Sequence, residues 1–351
     1  MFHVIVNPSS SSGRGKSKWD KIEERFKKSG VPYKVHFSSP AHSIEDICEE
    51  LTSSGENVNL VILGGDGTMN AVVNGIRDFE HTKVGFIQIG SGNDLMKGLG
   101  IDQKIDDLTD SILRGEVVRT CDIGRVTFHD RFNLLDPFTH RPVAPAAEDT
   151  AAFPASGDRK PSAGIAEKAS AEATGKHPAT RLFNISAGIG FDAAVCERAD
   201  TSAFKNVLNK IRMGKLIYIS EAIHMILASP MVTMKIDCDG VSKLYPRTLF
   251  AVVMNTCYEG GGFKFCPDAD FTDGKLDLCI GNGVSKIAFM KVLPNAYKGN
   301  HVGMKGIYQE RAKKVEMTSD IPLWVHTDGE VLGMTRKVSM RILPQKLKLL
   351  V

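Results

Sequence analysis

The chain is first narrowed by what it lacks. Its seven cysteines, at 48, 121, 196, 238, 257, 266 and 279, form no Cys-x-x-Cys pair, which argues against a zinc site of that kind and against a disulfide scaffold. No apolar run approaches the roughly 20 residues that a membrane-spanning helix needs. The opening "MFHVIVNP" turns polar too soon for a signal peptide. Charge of one sign is missing too: the net balance is +3 over 351 residues, so composition makes no case for a nucleic acid partner. No internal repeat is visible. "SSSSGRGKS" has Ser10 where a Walker A loop needs its first glycine, and no Gly-x-Gly-x-x-Gly opens the first helix. These absences leave a cytoplasmic globular protein with reduced thiols. It is 42% hydrophobic and 24% charged, and long enough for two domains.

What is present divides near residue 117. The first part alternates strand and helix patterns. "FHVIV" is a buried-strand run, Trp19, Ile22 and Phe26 follow at helical spacing, and "YKVHF" alternates. Ile44, Ile47, Cys48 and Leu51 mark a helix face behind Ser43 as N-cap. "LVIL", a helix face of Met69, Val72, Val73 and Ile76, and "VGFIQI" complete the series. Such alternation predicts a parallel α/β sheet with helices on both faces. After Gly115, "VVRTCDIGRVTF", "RLFNISAGIG", "MVTMKIDCDG", "RTLFAVVMN", "KLDLCI", "KKVEMTS" and "KVSMRIL" predict an antiparallel β-sandwich or barrel. The expected boundaries are 1–117 and 118–351, with the C-terminal segment free to return to the first domain. A helix is expected over 203–228. Residues 137–178, rich in Ala, Pro, Ser and charge, read as a flexible insertion.

Two glycine turns carry the first chemical signal. Gly64-Gly65-Asp66-Gly67-Thr68 ends one strand, and Gly90-Ser91-Gly92-Asn93-Asp94 ends the next. Ligands of parallel α/β sheets sit beyond strand carboxyl ends, where helix N-termini offer free N–H groups to anions. Glycines let the main chain come close to phosphate. Asp66 makes sense there if a cation or a reacting hydroxyl lies beside the phosphate. Two further features stay open between bland and functional readings. Asp268, Asp270, Asp273 and Asp277 in "PDADFTDGKLD" form either a solvated turn or a loop for a hard cation. "HTDGE" at 326–330 is at least a hairpin turn, and His326 reads as structural. The basic run Arg14, Lys16, Lys18, Lys21, Arg25, Lys27 and Lys28 is either a solvated helix face or a surface for anionic lipid or nucleotide phosphate.

Taken together, Asn7-Pro8 with its Ser/Gly loop, "GGDGTMN", "GSGNDL", "CDIGRV", "NISAGIGFDA", "GKLIY", "GGGFKFCPDADFTDGKLDL" and "HTDGE" resemble the diacylglycerol kinase catalytic-domain family. That family includes soluble bacterial diacylglycerol kinases and sphingosine and ceramide kinases. The matches run through nearly the whole chain in order; only 137–178 is foreign. "GGDGT" alone is shared with NAD kinases and phosphofructokinases, so the downstream motifs narrow the choice.

The resemblance implies a kinase with ATP between an α/β domain and a β-sandwich domain. Nucleotide contacts would fall on Asn7, Pro8, Ser9, Ser38, Gly64, Gly65, Asp66, Gly67, Thr68, Met69, Asn70, Ser91, Gly92 and Asn93. Ser38 stands where relatives usually have Thr, and Ala71 where they often have Glu. Asp270, Asp273 and Lys275 match the family's magnesium loop, distinct from the Mg²⁺ that travels with ATP. Glu330 matches the proton acceptor, with Asp66 assisting. The implied activity is ATP- and Mg²⁺-dependent phosphorylation of a lipid hydroxyl, diacylglycerol to phosphatidic acid first, by a cytoplasmic enzyme working peripherally at the membrane surface. A sphingoid base, ceramide and an undecaprenyl-type alcohol stay open as acceptors, and a homodimer stays open as the assembly. The competing readings are a soluble-metabolite kinase of the NAD kinase type and a non-catalytic nucleotide-binding regulator.

Overall fold

The computed structural model describes residues 1–90, 92–129, 180–194, 196, 223, 224 and 226–351. Ser91, the 137–178 insertion and most of the expected 203–228 helix lie outside them. Strands β1 (Phe2–Val6), β2 (Tyr33–Phe37), β3 (Val58–Gly64) and β4 (Thr82–Gln88) pair in parallel in the order β4-β3-β1-β2. β1 and β3 are buried at nearly every position, as central parallel strands are when helices cover both faces. The helices are α1 (Ser10–Gly13), α2 (Gly15–Ser29), α3 (Ile44–Thr52), α4 (Asp66–Gly75), α5 (Asp94–Gly98) and α6 (Ile105–Arg114). α2 buries Trp19, Ile22 and Phe26, and Phe26 meets Tyr33 edge to face. α3 starts from a capping box: Ser43 Oγ accepts the Asp46 amide at 3.1 Å and Asp46 Oδ2 accepts the Ser43 amide at 2.8 Å. α3 packs on α4 and α2 on α6.

The second part is antiparallel: β5 (Val118–Phe128), β6 (Thr180–Phe183), β7 (Ser186–Gly190), β8 (Val232–Cys238), β9 (Val241–Met254), β10 (Leu276–Asn282), β11 (Ile307–Ala312), β12 (Lys314–Thr327) and β13 (Glu330–Leu350). Inward positions such as Phe183, Met234, Val253, Leu278, Met317 and Val338 make one core. Helix α7 (Lys286–Lys298) lies over a second, aromatic core that includes Phe191, Phe250, Phe265 and Phe289. All seven cysteines are free thiols. No helix among the described residues is long and apolar enough to cross a membrane.

β13 joins the two parts. It pairs antiparallel with β12 and β5, and its end, Lys348–Leu350, then pairs in parallel with β4. Leu347, Leu349 and Leu350 are buried in the first core. The described residues therefore form one hydrogen-bonded sheet of 13 strands, α/β on one side and antiparallel sandwich on the other.

Candidate active site at the strand ends

Register brings the candidate loops to one edge. Val6 pairs with Phe37 and with Leu63, and Gly64 pairs with Gln88. The carboxyl ends of β2, β1, β3 and β4 therefore line up, and Ser38, the Asn7-Pro8-Ser9 loop and both glycine turns leave from the same side. A Cβ on Gly90 would stand 2.9 Å from Gly65 Cα, so the two turns touch and only glycine fits the contact. Asn7 Nδ2 donates to Thr68 Oγ1 at 3.0 Å, and Asn7 Oδ1 accepts the Ser9 amide at 3.0 Å. Thr68 in turn fills the space against Gly64, where a Cβ would overlap it. Pro8 O accepts the Gly15 amide at 3.2 Å. α4 opens at Gly65 with its first amides unpaired within the helix, a place suited to phosphate.

Two of the residues assigned to nucleotide turn elsewhere. Met69 is fully buried in the first core. The Asn70 amide group donates to Asp328 Oδ2 at 2.8 Å and to Leu182 O at 3.1 Å, while its oxygen accepts from Arg181 Nη2 at 3.1 Å. With its side chain spent between the two halves of the molecule, Asn70 is a staple. The motif's periodicity gave no means of separating the phosphate-facing residues from those on the far side of the first helical turn.

Carboxylates gather behind the glycines. Asp66 Oδ1 accepts from Gln88 Nε2 at 2.9 Å, and Oδ2 faces the Asp94 amide at 3.3 Å. Burial, helped by the nearby Asp94 charge, pushes the Asp66 carboxyl up to about 6. A Cβ on Gly92 would stand 2.8 Å from Asp66 Oδ2. Asp94 Oδ2 accepts the Gly261 amide at 2.6 Å, which fastens the glycine loop of the second half to the first. Glu330 comes in from the other side. Asp328 and Gly329 have φ of 51° and 86°, the signature of a type I′ turn, and Thr327 pairs with Glu330 across it. Glu330 Oε1 lies against Gly67, where any Cβ would overlap it. The Asp328 carboxylate fixes this hairpin, accepting the amides of Asn184, Ile185 and Ser186 at 3.1, 2.8 and 3.0 Å.

His326, read from sequence as structural, is the hub of a buried cluster. Its Nε2 lies 3.2 Å from both Asp192 Oδ2 and Glu259 Oε1. Those carboxylates draw the ring toward its cationic form against the effect of burial. The Gly329 amide sits 3.2 Å from Nδ1 on the other side of the ring. Burial pushes Glu259 up to about 7, so imidazole and carboxylates hold their protons as one buried unit. The imidazole thus braces the turn that presents Glu330. Asp94, Asp192, Glu259 and Asp328 were not singled out from sequence as site residues, because they meet only in the fold.

The acidic loop is ordered by its own contacts. Asp270 Oδ1 accepts Thr272 N at 2.9 Å and Thr272 Oγ1 at 2.7 Å, and Asp273 Oδ1 accepts Lys275 N at 2.9 Å. Asp273 Oδ2 lies 3.9 Å from the Arg311 guanidinium, which also binds Asp277 at 2.8 Å. Among the described residues no three His, Cys, Asp or Glu side chains converge to hold a metal. Asp270 Oδ1 and Asp273 Oδ1 are thus engaged within the loop and Arg311 brings positive charge beside it; the assignment of Asp270, Asp273 and Lys275 to a magnesium loop rests on the family resemblance alone. The loop is also fastened to β5, where the buried Asp122 accepts the Gly274 amide at 2.7 Å and pairs with Lys346.

Comparison with known proteins agrees with this arrangement. The model of the diacylglycerol kinase catalytic domain matches residues 1–126, and that of the YegS C-terminal NAD kinase beta sandwich-like domain matches residues 185–351. The chain carries a diacylglycerol kinase catalytic domain followed by a YegS-type C-terminal domain. It is a lipid kinase. YtlR of Bacillus subtilis, named provisionally as a lipid kinase, is 24% identical over 95% of this chain and 94% of its own. A diacylglycerol kinase of the same organism is 23% identical over 94% and 90%. The crystal structure of a diacylglycerol kinase from Bacillus anthracis str. Sterne matches with a TM-score of 0.63 at 18% identity, over 99% of this chain and 96% of that one, which shows a common fold.

Proposed function

We propose that this lipid kinase transfers the γ-phosphoryl group of ATP, taken as its magnesium complex, to the hydroxyl of diacylglycerol and yields phosphatidic acid. The observation that carries the reading is the seat of Glu330 against Gly67, a carboxylate of the sandwich side set at the glycine turn of the α/β side. Backbone amides of residues 64–68 and 90–93, with Asn7, Ser9 and Ser38 beside them, would hold the phosphates. As the new oxygen–phosphorus bond forms, Glu330 takes the hydroxyl proton, the β–γ bridging bond breaks and ADP departs. Asp66 faces the phosphates and their cation. The division at 117/118 then puts nucleotide on one side and acceptor on the other, so that closure can exclude water.

A lipid acceptor is supported by the match of residues 1–126 to the diacylglycerol kinase catalytic domain. Diacylglycerol is favoured by the names of several relatives. A peripheral enzyme on the cytoplasmic face fits a chain with an insoluble substrate and no spanning helix among the described residues. The test is phosphorylation of a total lipid extract with γ-labelled ATP, resolved by chromatography. Label in phosphatidic acid is expected. Label confined to a phosphorylated sphingoid base, ceramide or polyprenol would replace the acceptor, and label in no lipid would refute the reading.

A further inference from the structure

Helix α7 has an unusual outer face. Its inner residues Phe289, Val292 and Ala296 are buried against the aromatic core. A solvated helix would be polar opposite them. Here Ile287 is 69% exposed and Tyr297 47%, and Val302, just beyond the helix, is 44% exposed. Cations interleave with these apolar groups. From Leu278 to Gln309 the chain has four lysines, at 286, 291, 298 and 305, and no Asp or Glu. Lys291, Lys298 and Lys305 are exposed, while Lys286 Nζ donates to the carbonyl of Leu227 at 2.7 Å.

This face adjoins the catalytic cleft. A Cβ on Gly262 would stand 3.4 Å from the Tyr297 ring. The neighbouring Gly261 amide binds Asp94, whose own amide faces Asp66. The basic run of α2, by contrast, spends part of its charge internally. Arg25 pairs with Asp106 and Asp110, Lys27 with Glu23, and Lys18 donates to the Ile89 carbonyl; Asp20, Glu23 and Glu24 lie among these cations.

We propose that the outer face of α7 and the turn after it dock the enzyme on an anionic phospholipid bilayer. Ile287, Tyr297 and Val302 enter the interfacial region, and Lys291, Lys298 and Lys305 meet lipid phosphates. Lysines without interspersed acids suit a negative surface, and an aromatic with a polar tip suits the headgroup depth. A soluble anion would account for the lysines but not for the exposed apolar side chains between them. The proposal rests on the lipid kinase reading for its choice of partner.

The test is sedimentation of the whole protein, without ATP or acceptor, with vesicles of phosphatidylcholine alone or with one part in three of phosphatidylglycerol. Wild type should bind the anionic vesicles and release as salt rises. Each surface lysine contributes roughly a fivefold gain in partitioning, so Lys291→Glu with Lys298→Glu should lower binding by about tenfold or more. Ile287→Asp should weaken it as well. Lys27→Glu with Lys28→Glu on α2 should leave it within about twofold. In detergent micelles the α7 variants should phosphorylate acceptor at wild-type rate, because no residue changed belongs to the catalytic centre. Wild-type vesicle binding by the Lys291/Lys298 variant, or an equal loss in the α2 control, overturns the proposal. So does a variant that only dissociates a self-associated species. Failure of the lipid kinase reading would appear separately, as absence of transfer to any lipid in micelles.

Discussion

Glu330 and Gly67 are a matched pair. Because Glu330 Oε1 occupies the space beside Gly67 Cα, Gly67→Ala must push the carboxylate aside. Its oxygen is the far end of a flexible side chain, so the displacement should lower kcat at least about tenfold while moving Tm little; a variant with wild-type kcat would detach Glu330 from the chemistry. Asp66 gives a prediction of opposite sense. Its folded pKa, about 6, exceeds the ordinary carboxylate value, so its stabilising contribution is complete below about pH 4 and is lost as pH rises through 6. At pH 8 the ionised, buried side chain costs up to about 3 kcal/mol. Asp66→Asn should therefore raise Tm at pH 8, with little gain at pH 4.5, while abolishing turnover. An unchanged or lower Tm at pH 8 would mean that the buried charge is better compensated than its surroundings indicate.

At the scale of elements, the 270–275 loop is held by its own amides, by Arg311 and by Asp122. Removal of divalent ions with EDTA should leave the nucleotide-free Tm unchanged, and magnesium added without nucleotide should not raise it. A rise would place a metal at the loop. The same element shows where sequence legibility ended. The order of the Asp residues was readable, but Arg311 approaches from β11, which no local pattern announced. Helix α7 was missed for a physical reason: it contains Pro294 and exposes Ile287, so its apolar residues do not follow a single stripe. The glycine turns were legible in part because backbone contact with Gly65 leaves no other residue choice at Gly90. Parallel strands β1, β3 and β4 were legible as unbroken apolar runs. The cluster of Asp192, Glu259 and His326 was not, since its members come from three distant segments.

At the scale of the molecule, β13 makes the two halves one body, entering the first core through Leu347, Leu349 and Leu350. Leu349→Asp should cost about 3 kcal/mol or more by burying an unpaired charge. It should also lower the midpoint of both halves together in denaturant, as read by probes in each. Separate transitions would mean that the shared strand does not couple them. The union of halves also presents Glu330 to the glycine turn, and that juxtaposition is the centre of the account. Its most direct test is single-turnover transfer from γ-labelled ATP to diacylglycerol by Glu330→Gln, with nucleotide affinity measured alongside. The account predicts a rate lower by about 10²–10⁴ with ATP affinity preserved. A near-normal rate would contradict it and leave Asp66 as the carboxylate at the phosphates.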